Sequence, residues 1–223
     1  MRRDTLLFDL DGTLTDTDEL HVEAFRRLLA PLGRSITMDD YKTRIMGAPN
    51  EAIMGWLFPD EDAARHVAIA AEKEALFRSQ ADRLLPTAGL MPLLDWAERL
   101  DLKMAVVTNA PRDNAEMMLA GLGLTARLPV LVIGDELARG KPDPLPYLTA
   151  LERLGSTADR ALAFEDSRSG VRAAAAAGIE TIGMLTGLDE ATLRDAGASA
   201  AVRDFTDPWL ADRLGRDYGQ AFA

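Results

Sequence analysis

The sequence predicts an α/β fold, a doubly wound, Rossmann-like and mostly parallel sheet with an inserted all-helical block. Three observations carry that reading. Short apolar runs alternate with amphipathic stretches from Pro86 onward, residues 16–86 hold only helical patterning, and polar, chemistry-bearing residues follow the apolar runs. Strands that alternate with helices of this length need crossover connections, which set the strands parallel and cover both faces of the sheet.

The first apolar run, Thr5-Leu6-Leu7-Phe8, is short and is closed by the Gly12-Thr13 turn, as befits a strand buried in a sheet. From Asp18 to Gly33, Leu20, Phe25, Leu28, Leu29 and Leu32 recur at helical spacing, with Asp18 as N-cap and Gly33 as stop. A second helix falls near 38–44 and is broken by Gly47-Ala48-Pro49, and a third runs through Ile53, Met54, Trp56 and Leu57. The stretch 59–62 opens a long helix carrying Val67, Ile69, Ala70, Leu76 and Phe77 to about Gln80. The alternation then reads helix 91–100, strand 103–108, helix 111–122, strand 130–133, helix 145–154, strand 161–164, helix 169–177 and a last clear strand at 179–183. The small-residue run 173–177 marks a helix in close contact with the sheet. In the tail, Trp209 and Leu210 are expected to pack back onto the core. The expected division is a core of residues 1–15 and 87–223 and a helical insertion of residues 16–86.

Composition narrows the class. With 48% hydrophobic and 27% charged residues a globular chain is expected, and a net charge of -11 argues against nonspecific binding to nucleic acid or to anionic membranes. An anionic substrate therefore needs a local positive site. The lack of cysteine excludes disulfides, thiolate catalysis and Cys-ligated zinc. Arg2-Arg3 is followed at once by Asp4 and the next apolar run ends at Asp9, so no secretory leader is expected. No stretch approaches the roughly 20 apolar residues of a membrane span, and a cytoplasmic location is the expectation. Oligomeric state is left open.

The strand ends hold the chemistry. Residues two apart in an extended chain project to one side, so Asp9 and Asp11 would repel each other unless a cation occupied the gap; a hard divalent metal such as Mg2+ suits oxygen ligands and a phosphate. Thr108 and Asn109 leave the second strand, Lys141 lies in the loop after the third, and Glu165 and Asp166 leave the fourth. Ligands of open parallel sheets bind outside the carboxyl ends of the strands. Carboxylates, hydroxyl, amide and ammonium converging on one rim point to a shared metal and phosphate site. Lysine is scarce here beside arginine (Lys42, Lys73, Lys103 and Lys141), which singles out Lys141.

Asp9-Leu10-Asp11-Gly12-Thr13-Leu14, Thr108-Asn109, Lys141-Pro142 and Glu165-Asp166 resemble, in order and approximate spacing, the four motifs of the haloacid dehalogenase-like (HAD) superfamily. Asp16-Thr17-Asp18-Glu19-Leu20-His21 and Phe164-Glu165-Asp166-Ser167-Arg168-Ser169-Gly170 resemble its β-phosphoglucomutase and phosphoglycolate phosphatase branch, and the helical block resembles that superfamily's cap. The residues and the resemblance together make Asp9 the nucleophile that forms an aspartyl phosphate, with Mg2+, Lys141, Thr108 and Asn109 stabilising the phosphoryl oxygens. The resemblance further implies metal ligation by Asp9, by the Asp11 backbone carbonyl and by the Asp166 carboxylate, with Glu165 orienting a water of the metal. Asp11 is assigned the proton to and from the leaving alcohol and the attacking water, with metal ligation alone as the other reading.

Within the insertion, His21 carries, by resemblance to β-phosphoglucomutase, a hinge or acid-base gating role, against a plain helix-surface histidine. Arg44 is a candidate contact for a substrate anion, against a solvated arginine. The phosphomutase pattern has an arginine shortly after a cap-loop glycine; this chain has Gly47-Ala48-Pro49-Asn50. Without that clamp for a second phosphate, the expectation is a phosphatase acting on a small phosphorylated metabolite, a sugar phosphate or phosphoglycolate. A sugar phosphomutase is the alternative. A non-enzymatic phosphoryl-receiver module fits less well, because it places the acidic pair and the phosphorylated Asp on different strands and lacks a helical insertion.

Overall fold

The computed structural model describes residues 3–220 and 222. The chain opens with β1 (Thr5–Phe8) and then forms α1 (Asp18–Leu29), α2 (Met38–Asp40) running directly into one π turn (Tyr41–Ile45), α3 (Asn50–Leu57) and α4 (Ala63–Arg78). It continues with α5 (Leu90–Arg99), β2 (Lys103–Thr108), α6 (Arg112–Gly121), β3 (Val130–Ile133), α7 (Leu145–Leu154) and β4 (Ala161–Glu165). It ends with α8 (Arg168–Ala176), β5 (Glu180–Met184), α9 (Glu190–Ala196), β6 (Ala200–Val202) and α10 (Pro208–Tyr218).

The strands pair in parallel in the order β3-β2-β1-β4-β5-β6, so the chain's first strand is central and the order reverses beside it. Phe8 stands opposite both Val106 and Phe164. Alternation along the strands sorts side chains onto the two faces. Leu6, Phe8, Val106 and Phe164 join a bulky cluster under Trp96, Phe205 and Tyr218, while Leu7, Ala105, Ala161 and Ala163 face Ala173 and Ala174 of α8. Methyl side chains on both sides bring α8 close to the sheet, as the alanine run predicts. The inserted helices form a cap with its own apolar cluster, centred on Phe25, Leu29, Tyr41, Ile53, Leu57 and Ile69.

Three local features differ from expectation. β6 is a strand of three residues, two of them alanine, too short and too small to register as an apolar run. Leu210 is fully buried but Trp209 is 41% exposed. On α10 the buried residues Leu210, Leu214 and Tyr218 recur every four positions, and Trp209 falls beside that stripe. The long cap helix begins later, at Ala63, where Asp62 accepts from the backbone N–H of Arg65. Among the described residues, no helix is long and apolar enough to cross a membrane.

Candidate active site

Every strand that carries a candidate residue ends at the same rim. Beyond β1 the Asp9 N–H still donates to Phe164 O at 3.0 Å, which holds Asp9 at the sheet edge. The chain then turns at Gly12, whose φ of +73° is left-handed; a Cβ there would lie 2.1 Å from Asp166 Oδ2, so only glycine lets the turn sit against that carboxylate.

Lys141 Nζ donates to Asp9 Oδ1 at 2.6 Å, to Glu165 Oε1 at 2.5 Å and to Val107 O at 2.6 Å, which uses all three ammonium hydrogens. Tyr147 OH donates to the same Glu165 oxygen at 2.9 Å. Lys141 therefore neutralises the Asp9 carboxylate directly and is fixed there by Glu165. Asn109 holds this loop in place: its Oδ1 accepts from Lys141 N and its Nδ2 donates to Lys141 O, both at 3.1 Å. By sequence, Asn109 is expected to be a phosphate donor; it lines the cavity, and its contacts with the Lys141 backbone use one of its two Nδ2 hydrogens. Thr108 Oγ1 accepts from Ala110 N at 2.9 Å and keeps its own hydrogen to donate.

Asp9, Glu165 and Asp166 each offer a carboxylate oxygen within 4.8 Å of the others, and all are buried. One ammonium does not balance three carboxylates. Burial pushes the Asp9 carboxyl up to about 8, with Glu165 adding to the rise against the pull of Lys141. Burial, followed by Asp9 and Glu165, raises Asp166 well above the carboxylate range. Hard oxygen donors, largely buried and with surplus negative charge, fit a divalent cation of the Mg2+ type.

The carboxylate of Asp11 is not one of that group. It turns to the cap, where Oδ1 accepts from Thr17 Oγ1 at 2.7 Å and lies 3.1 Å from His21 Nε2. Asp9 and Asp11 both line the space between rim and cap, as expected, but the carboxylates grouped most tightly with Asp9 are those of Glu165 and Asp166. Burial acts to raise Asp11, but His21, Thr17 and Lys73 overcome it and hold the carboxyl below its usual range. His21 Nδ1 lies 2.8 Å from Lys73 Nζ, so the imidazole accepts there and donates from Nε2. Burial, then Lys73, keeps His21 below the ordinary histidine range and so neutral. Its ring stacks on Phe77 at 4.1 Å.

Sequence reasoning missed what stands behind His21. Lys73 Nζ also reaches Glu74 at 3.1 Å, and Glu74 Oε2 accepts from Asn114 Nδ2 at 2.6 Å, linking α4 of the cap to α6 of the core. A signal existed: Ile69, Lys73 and Phe77 share one helical stripe, which puts a cation on the buried face of α4.

A cavity of about 160 Å³ between rim and cap is lined by Asp9, Asp11, His21, Asn50, Lys73 and Thr108, among others. His21 and Asn50 are therefore at the site. Arg44 does not line this cavity: its guanidinium lies 5.0 Å over the Trp56 ring, and it lines a neighbouring one.

Fold and site together define a capped α/β hydrolase with its acidic centre at the sheet rim. Residues 6–184 match the model of the haloacid dehalogenase-like hydrolases. The chain is 35% identical to the phosphorylated carbohydrates phosphatase of Thermotoga maritima, over 90% of this chain and 94% of that one. It is 36% identical to a phosphoglycolate phosphatase of Xylella fastidiosa, over 82% and 80%. CbbY from Rhodobacter sphaeroides, solved with phosphate, superposes with a TM-score of 0.80 at 28% identity, covering 93% and 96% of the two chains; a variant of it has been solved with xylulose-(1,5)bisphosphate. The chain belongs to the haloacid dehalogenase-like hydrolases, in the branch of phosphoglycolate phosphatases, β-phosphoglucomutases and CbbY, and is a phosphatase of that family.

Proposed function

We propose that the protein hydrolyses a small phosphorylated metabolite, a sugar phosphate or phosphoglycolate, with Mg2+ and through an aspartyl phosphate on Asp9. The observation that carries this reading is the division of labour between two neighbouring carboxylates: Asp9 sits against Lys141 in the core, and Asp11 faces Thr17 and His21. Residues 1–15 and 87–223 act as the core and residues 16–86 as the cap. Asp9, the Asp11 backbone carbonyl and Asp166 would hold Mg2+, with Glu165 beside them. Held there, the ion would supply positive charge to offset that of the phosphate beside the anionic nucleophile.

Asp9 attacks phosphorus, and the bond to the alcohol oxygen breaks as Asp11 gives that oxygen its proton. An incoming phosphate opposes the field of His21 and Lys73 and lifts Asp11 toward the protonated form this step needs. Asp11 then takes a proton from water, whose oxygen attacks the same phosphorus; the bond from phosphorus to the Asp9 oxygen breaks, which releases phosphate and the Asp9 carboxylate. Lys141 offsets the charge of Asp9 at each stage, and Thr108 donates to an equatorial oxygen. Asn50, in the cap loop where the mutase pattern has an arginine, leaves the catalytic cavity itself without that clamp, which favours hydrolysis over return of the phosphoryl group. The names of the Thermotoga and Xylella relatives support the substrate class.

The test is phosphate release over a panel of sugar phosphates and phosphoglycolate, with Mg2+ or a chelator, for wild type and Asp9→Asn. Release that needs both Mg2+ and Asp9 is expected; Asp9→Asn turning over like wild type overturns the reading. An isomerised sugar phosphate in place of free phosphate assigns the mutase.

A further inference from the structure

A second cavity, of about 220 Å³, lies at the seam of cap and core and shares Met46, Gly47, Ala48 and Ser169 with the catalytic one. The shared wall is tight: a Cβ on Gly47 would lie 2.7 Å from Ser169 Oγ. What distinguishes this cavity is charge. Lys42 and Arg44 line it from the cap, Arg168 and Arg172 from α8 of the core, and no carboxylate lines it, in a chain of net charge -11. Arg168 and Arg172 are one helical turn apart and so share a face.

Among the described residues, none of these four side chains makes a hydrogen bond or an ion pair. Asp18, Asp40 and Asp189 act on Lys42, Arg44 and Arg168 through space only. Arg44 is held over the Trp56 ring, which fixes its direction without satisfying its donors. Like charges facing across a seam work against closure of the cap. An oxyanion between them reverses the sign, and guanidinium groups bind such oxygens bidentately.

We propose that this cavity is an anion site, in which a phosphate-like oxyanion bridges Lys42 and Arg44 to Arg168 and Arg172 and favours the closed cap. The oxyanion is a free ion or the second acidic group of a substrate; only the latter rests on the function proposed above.

Trp56 reports on the site. Sodium sulfate, titrated into the full chain at constant ionic strength, is expected to change tryptophan emission saturably, and Trp56→Phe to abolish the change. In Arg168→Gln/Arg172→Gln, altered only across the seam from Trp56, the midpoint rises by about tenfold or more, the loss expected for a charge-assisted hydrogen bond. Arg168→Lys/Arg172→Lys, which keeps the charge, retains the response and separates charge from folding. No response in the wild type, or an unchanged midpoint in the Gln variant, overturns the proposal; the latter places the anion in the catalytic cavity. Titration of Asp9→Asn, with Mg2+, by a sugar monophosphate and its bisphosphate then assigns the source. Tighter bisphosphate binding that the Gln substitutions remove marks the substrate's second group, and equal affinities beside an intact sulfate response mark a free ion. Each readout is binding, so it stands whether or not the wild type hydrolyses these esters.

Discussion

Asp9 and Asp11 stand two positions apart, yet one is held by the core and the other by the cap. The assignment of Asp11 as proton carrier has a measurable consequence. Asp11→Asn is expected to lower turnover of an alkyl phosphate by about 10²–10⁴-fold, the usual contribution of general acid-base catalysis. The loss in forming the aspartyl phosphate from p-nitrophenyl phosphate is smaller, because that leaving group departs without a proton. Rapid-quench kinetics with both esters checks this, and equal losses contradict the acid role. A second residue acts on stability. Tyr147 OH donates to the fully buried Glu165, so Tyr147→Phe removes one hydrogen bond to a charged acceptor. The expected cost is about 1.5–3 kcal/mol in urea denaturation. Asp9, Asp11, Lys141 and Asp166 were legible because each directly follows a recognisable apolar run or sits in the loop after one. Tyr147 was not, since an aromatic residue on α7 has the ordinary pattern of a core helix, and only the fold brings its hydroxyl to Glu165.

At the scale of elements, alternation and helical spacing revealed the βα units and the cap, because a parallel sheet covered on both faces demands short apolar strands. What escaped depended on partners far away in sequence. β6 exists because β5 offers it an edge, pairing Ile182 with Ala200, and Lys73 is tolerated on a buried stripe because His21 and Glu74 meet it. Asp18, in the first turn of α1, gives a pH test of how the cap is joined to the core. Burial, with Asp16 close by, pushes its carboxyl up to about 6, while Tyr41 hydrogen-bonds it. An aspartate raised in the folded chain contributes stability below its unfolded value near 4 and loses it as pH rises through about 6. Asp18→Asn escapes that loss. It is expected to be more stable than wild type by about 3 kcal/mol at pH 8, since a tenfold change in proton affinity is worth about 1.4 kcal/mol, and to match it at pH 4. Denaturation midpoints at the two pH values decide the point.

For the whole molecule, the central strand matters most: placing β1 between β2 and β4 brings Asp9 beside Lys141 and Asp166, from loops more than 130 residues further along the chain. The same closure concentrates negative charge, since Asp9, Glu165 and Asp166 are buried together around one ammonium. Without a divalent cation, burial first and that excess second push Asp9 up to about 8 and raise Asp166, so carboxyls there keep protons. The sign follows from linkage. Between the unfolded value near 4 and about 8 the folded chain binds more protons than the unfolded one, so metal-free stability falls as pH rises through that window. Mg2+ competes with those protons for the same oxygens. Its stabilising effect is therefore expected to be small at pH 5 and to grow to pH 8, where the protons it displaces are already leaving. Thermal melts of chelator-treated and Mg2+-saturated protein from pH 5 to 9 measure the gap directly. A gap that stays constant across that range places the ion elsewhere than among Asp9, Glu165 and Asp166, and Asp166→Asn, which removes one carboxylate from the group, is expected to shrink the gap at pH 8 most of all.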